Sequence, residues 1–170
     1  MQAELLAEVS TLAHPPRVIG VFRRADLPRG PGADTGLALW HVGDPGNVGT
    51  LLRAADAFGP AYVALSPGCA DPTGSKALRA SAGAIFRVPT CGFDEAPRPW
   101  IALVPQGGDR LTELAAKGSA TFVLGSEREG IPDEMLAGCE ARVSIAHSPS
   151  VESLNVAMAG TIALYELGRS

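Results

Sequence analysis

The chain has 170 residues, enough for one compact domain with a sizeable core and short for two. At 46% hydrophobic and 19% charged residues it reads as an ordinary folded protein, which excludes long disorder. The net charge of −4, from 14 basic and 18 acidic residues, means that any nucleic-acid face must gather its cations locally or borrow them from another domain or subunit.

No apolar run approaches the ~20 residues of a membrane-spanning helix. The start, Met1-Gln2-Ala3-Glu4, has no basic residue leading into an apolar stretch, so a secretory signal is not expected. Cys69, Cys91 and Cys139 are odd in number and widely spaced, as in a cytoplasmic protein with reduced thiols. His14, His41 and His147 are equally scattered, and no metal site is expected.

Residues 3–12 give a first helix-like piece. Strand-like runs follow at 17–22, 37–42, 62–65, 85–88, 100–104, 121–124 and 142–145, several of them continuously apolar, as parallel strands covered on both faces are. Helical patterns lie between and after them at 48–58, 75–82, 111–117, 132–136 and 153–167. The alternation predicts an α/β fold, an open and mostly parallel sheet with helices on both faces. Residues 30–36, rich in glycine, form a turn or loop.

Three stretches stand out. In the first, Asp44-Pro45-Gly46-Asn47 is turn chemistry, with Asn47 the expected cap of a helix whose Val48, Leu51, Leu52, Ala55 and Phe58 make an apolar stripe. Gly49 leaves room for a ligand or a second backbone, one turn before Arg53. On the residues alone, Arg53 either pairs with Asp56 on the surface or serves a site. In the second stretch, the strand 121–124 runs into Gly125-Ser126-Glu127-Arg128-Glu129-Gly130-Ile131-Pro132, which puts backbone amides at a strand's carboxyl end, where open α/β sheets bind ligands. Glu127 either orders that loop or orients Arg53. The third, Val151-Glu152-Ser153-Leu154-Asn155-Val156-Ala157, enters an apolar terminal helix with Ser153 as its expected cap. Between the first two, Lys76 and Arg79 share one helix face. The Gly-Ser-Lys order and spacing of residues 68–76 do not make a phosphate-binding P-loop, and no G-x-G-x-x-G is present, so an ATP- or NAD-binding enzyme is remote.

Together, and in this order, the three stretches resemble the motifs of the SpoU/TrmH family of RNA ribose 2′-O-methyltransferases, within the SPOUT superfamily. The resemblance covers roughly residues 37–167 and includes the Lys-Ala-Leu-Arg-Ala-Ser block at 76–81. It implies S-adenosylmethionine as cofactor, rRNA or tRNA as partner, a homodimer whose subunits share sites, and a C-terminal deep trefoil knot. It implies catalytic roles for Arg53, Asn47, Glu127, Ser153 and Asn155, with Arg53 at the target ribose. Arginine keeps its proton, so Arg53 is better suited to hold the neighbouring phosphate than to act as a base. Cofactor contacts fall to Leu124, Gly125, Ser126, Gly130, Ile145, Ser153, Leu154 and Asn155. RNA contacts fall to Arg53, Lys76, Arg79 and Arg87.

Residues 146–150 depart from the family's usual Pro-Met-x-Gly approach, leaving His147 either an added polar contact or merely exposed. The domain reading gives 1–36 as a strand and linker region, the remnant of a missing substrate-binding domain, and 37–170 as the catalytic domain. The alternative to an enzyme is a non-catalytic module of the same fold that binds cofactor or RNA.

Overall fold

The computed structural model describes residues 17–114 and 119–168, together with Leu6, Glu8 and Ser10. Of the expected helix at 3–12 only Leu6, Glu8 and Ser10 are described, the first two as helical, and the end of the one at 111–117 lies outside the described residues. Among those described, seven strands, all parallel, form one sheet: β1 Gly36–Leu39, β2 Tyr62–Leu65, β3 Thr90–Gly92, β4 Trp100–Leu103, β5 Asp109–Arg110, β6 Thr121–Leu124 and β7 Ala141–Ser144. Their order is β3-β2-β1-β6-β4-β7-β5, so β1 and β6 are central. Leu37 faces both Val63 and Phe122 in register, and Leu39 faces Leu65 and Leu124.

Both faces of the sheet are covered, which is why the strands read as apolar runs rather than alternations. Leu37, Leu39, Val63, Phe122 and Leu124 point to one face, against α1 (Pro45–Ala57) and α5 (Val156–Leu167). Ala38, Tyr62, Ala64 and Val123 point to the other, against Phe93 and Ala96, with Met135 of α4 (Asp133–Ala137) beside them. Two further short helices are α2 (Ser75–Ser81) and α3 (Leu111–Leu114).

Two expected strands are absent. Residues 17–22 form no strand; Val18 and Val21 stay 80% and 96% exposed, while Phe22 meets Phe86 edge-on. Residues 85–88 begin within a 3-10 turn (Ala84–Phe86) that buries Ile85 beneath the first face. The edge strand there is instead β3, which the sequence hid in a short Thr-Cys-Gly run. Outside it, Thr90 donates to the carbonyl of Pro28 and accepts from the amide of Gly30, so residues 28–30 lie along β3. β5 has two residues, too few to leave a pattern. No helix among the described residues is long and apolar enough to cross a membrane.

Candidate active site

The helix caps differ from expectation in a way that builds the site. Asp44, not Asn47, caps α1: its Oδ1 accepts from the amide of Asn47 at 3.0 Å, and Pro45 fills the first helical position, where no amide is needed. The Asn47 side chain is thereby left free. Asn155, not Ser153, caps α5, its Oδ1 accepting from the amides of Ala157 (2.9 Å) and Met158 (3.2 Å). With that oxygen committed to the cap, the Asn155 amide nitrogen donates to Oδ1 of Asn47 at 3.2 Å. The Asn47 nitrogen then donates to Oε1 of Glu127 at 2.7 Å. One directional relay, Asn155 to Asn47 to Glu127, joins all three sequence motifs, and the cap fixes the sense of each amide.

The β6–α4 loop carrying Glu127 is closed on itself. Ser126 and Gly130 exchange two backbone hydrogen bonds, and Ser126 Oγ accepts from the amide of Glu129. Gly130 has φ +68°, and a Cβ on Gly125 would collide with the Gly130 backbone. Two glycines are therefore what lets this loop fold over a strand end.

The loop borders two cavities. The first, about 550 Å³, is floored by the ends of β4, β6 and β7 and the approach to α5. Leu124, Gly125, Ser126, Gly130, Ile145, Ser153, Leu154 and Asn155 all line it. His147 lines it too, its Nδ1 donating to the Ile145 carbonyl at 2.7 Å, so it is part of the wall rather than merely exposed. Apolar Leu103, Val104, Ile131 and Leu136 complete it, and its size and make-up suit a nucleoside. The second cavity, about 790 Å³ and more open, is lined by His41, Gly43, Asp44 and Asn47. Ser126, Glu127, Arg128, Glu129 and Asn155 border both. The relay stands at that shared wall.

The cations are distributed otherwise than expected. Asp56 pairs with Arg87 at 2.6 Å and not with Arg53; the Arg87 guanidinium holds the Asp56 carboxyl below its usual value. Lys76 pairs with Asp44 at 3.0 Å and lowers its pKa. Arg53 and Arg79 are exposed and make no ion pair among the described residues. Arg53 lines neither cavity. Gly49 accommodates a second backbone, not a ligand: a Cβ there would strike the Ala77 carbonyl and the Ala80 side chain of α2.

The family described as SpoU rRNA Methylase matches residues 34–165, across the sheet and both cavities. The chain belongs to the SpoU rRNA methylase family. It is 34% identical, over 181 residues, to an uncharacterized tRNA/rRNA methyltransferase of Synechocystis, covering 99% of this chain and 66% of that protein. To the 23S rRNA (guanosine(2553)-2′-O)-methyltransferase RlmP of Bacillus subtilis it is 32% identical, over 77% of this chain and 56% of the relative. Among solved structures, an AdoMet-bound rRNA methyltransferase from Sinorhizobium meliloti superposes with TM-score 0.73 at 28% identity, covering 85% of this chain and 59% of that one. The SpoU domain here thus spans 56–66% of these relatives' lengths.

Within this SpoU domain, sequence reasoning missed Asp44 as a cap, although Asp-Pro before an apolar stripe is itself a helix-start signal. It missed His41 too, for which no linear signal exists. Among the described residues, no group of three or more His, Cys, Asp or Glu side chains is placed to hold a metal.

Proposed function

We propose that the chain methylates the 2′-hydroxyl of a ribose in rRNA or tRNA, using S-adenosylmethionine. The observation that carries this reading is the relay at the wall between two cavities, one suited to a nucleoside cofactor and the other open to a larger ligand. The AdoMet-bound Sinorhizobium relative and the 2′-O-methyltransferase of Bacillus subtilis support it. Bound in the first cavity, S-adenosylmethionine would supply an electrophilic methyl group.

The chain's own residues do the rest. The backbone of Leu124–Gly130, Ile145 and Leu154 would hold the adenine and ribose of the cofactor, with Ser153 and Asn155 shaping the mouth. The Asn155–Asn47–Glu127 relay fixes the wall where donor and acceptor meet, and orients the Glu127 side chain by a hydrogen bond from Asn47. Arg53 and Arg79, free of acidic partners among the described residues, grip phosphates beside the target nucleotide and stabilise negative charge on the attacking oxygen. The proton leaves through phosphate or water, because a guanidinium does not accept it. Lys76 and Arg87 reach RNA only by exchanging their carboxylate partners for phosphates.

Since Arg53 borders neither cavity of its own protomer, it acts in a homodimer, presented to the partner's site. The exposed apolar residues Met158 and Tyr165 of α5 and Phe58, just past α1, suit such an interface. The deep trefoil knot belongs to the same reading, as does a cytoplasmic location beside RNA. Residues 37–170 act as the catalytic unit, with 1–36 as the linker region before it.

The test is transfer of tritium from S-adenosylmethionine to total rRNA and tRNA. Transfer is expected with the unaltered chain and lost in Arg53→Ala at unchanged cofactor affinity; undiminished transfer by Arg53→Ala overturns the assigned role. Cofactor binding with no transfer to any RNA would favour the non-catalytic module, a reading that the prepaired Lys76 and Arg87 lend some weight.

A further inference from the structure

His41 sits just past the end of β1 with φ +52°, a conformation that a non-glycine side chain adopts at a cost. Three features hold it there. Its amide donates to Ser66 Oγ at 2.9 Å. Its ring stacks on Trp40, 4.5 Å between centroids and 8° from parallel. Gly68, itself at φ +90°, lies so near that a Cβ would come within 3.3–3.6 Å of three of the imidazole's ring atoms. The imidazole is a fixed plate, yet His41 remains exposed and its ring nitrogens have no hydrogen-bond partner among the described residues. It also contributes the one aromatic ring, among the described residues, to the lining of the second cavity, alongside Asn47 and Glu127 of the relay.

Backbone strain retained around an uncommitted polar edge points to recognition rather than packing. The lining chooses between the parts of a nucleotide. Asp44 is paired with Lys76, but Glu127 and Glu129 still outnumber Arg128 there, so a phosphate is disfavoured while a neutral base is not. Single-stranded RNA is read through the edges of unstacked bases. We infer that the second cavity receives the nucleobase of the acceptor nucleotide, and that His41 reads its edge through a ring nitrogen. This rests on the methyl-transfer reading above: a ribose at the shared wall leaves its base on the His41 side and its phosphates toward the Arg53 that the second subunit presents in the proposed dimer.

The experiment measures the KM for total RNA from cells lacking the gene, at saturating S-adenosylmethionine, together with cofactor affinity by calorimetry and thermal melting. His41→Phe keeps a flat ring between Trp40 and Gly68 but has no ring nitrogen. It is expected to raise the RNA KM about three- to tenfold, the worth of one neutral hydrogen bond, with cofactor affinity unchanged. His41→Asn or His41→Gln, whose amides stand in for the two ring nitrogens, should recover most of the loss; Asn also tolerates the positive φ. An RNA KM for His41→Phe equal to that of the unaltered chain overturns the inference. So does failure of both amide variants to recover anything while melting normally. If the unaltered chain transfers no methyl group to RNA, the proposed function fails first and this inference with it.

Discussion

Asn155 performs two tasks that one pair of substitutions separates. Its oxygen caps α5 and its nitrogen starts the relay to Glu127. In Asn155→Ala both are lost. Removing a cap of this kind costs about 1 kcal/mol, and for a chain of this length that corresponds to a fall of about 2–4 °C in Tm. In Asn155→Asp the cap survives, because a carboxylate accepts from the same two amides and suits a helix N-terminus. The relay does not survive. The introduced carboxylate offers Asn47 only an acceptor, so Asn47 must turn its nitrogen toward it and its oxygen toward Glu127, where two acceptors then face each other. The Asn47 nitrogen thus exchanges one carboxylate acceptor for another, so stability changes little while Glu127 loses the hydrogen bond that orients it. Asn155→Asp should therefore melt within a degree or so of the unaltered protein while losing about tenfold or more of its methyl transfer. Calorimetric melting and tritium transfer measured side by side check this. Full activity in Asn155→Asp, or an unshifted Tm in Asn155→Ala, would refute the division of labour.

Other expectations follow from the same geometry. Gly125→Ala drives a Cβ into the Gly130 backbone, an overpacking of about 1–3 kcal/mol; titration should show cofactor affinity reduced about tenfold or more, and unchanged affinity would mean that the loop closes another way. Asp44, Asp56 and Asp71 all have pKa values lowered from 3.8, by Lys76, Arg87 and Thr73 respectively. Their ionised forms are favoured in the folded state, so their contribution is complete above pH 3.8 and is lost as pH falls through the lower folded values. The urea midpoint should drop below that pH, less steeply in Asp56→Asn. Finally, because Arg53 serves the partner's site in the proposed dimer, mixing inactive Arg53→Ala with impaired Asn155→Asp should raise the methyl transfer above that of either parent. A mixture no more active than its parents would contradict sharing across the dimer.

The sheet was legible wherever burial on both faces imposed a continuous apolar run, as at 62–65 and 121–124, which match β2 and β6 residue for residue. It was not legible at the edge. Val18 and Ile85 look alike in sequence, yet one ends 80% exposed outside any strand and the other 1% exposed beneath a 3-10 turn. Neither fate is written locally, because the choice depends on what packs above. The residues expected to touch the cofactor were legible through their motifs, and all of them line one cavity. Their connections were not. A polar residue before a helix can cap or reach away, and Asn47 and Ser153 were read as caps while the structure gives those tasks to Asp44 and Asn155. Charge partners across 31 or 32 residues, Arg87 with Asp56 and Lys76 with Asp44, arise only once α1 and α2 pack at Gly49.

Where the methyl group goes is the most direct question. After incubation with S-adenosylmethionine, RNA digested to nucleosides and resolved by mass spectrometry should yield a nucleoside whose added methyl is on the ribose 2′-oxygen, about tenfold or more scarcer at equal times with Asn155→Asp. Methyl groups found on a base instead, or ribose methylation equal in both proteins, would contradict a relay that sets donor against sugar at the wall between the two cavities.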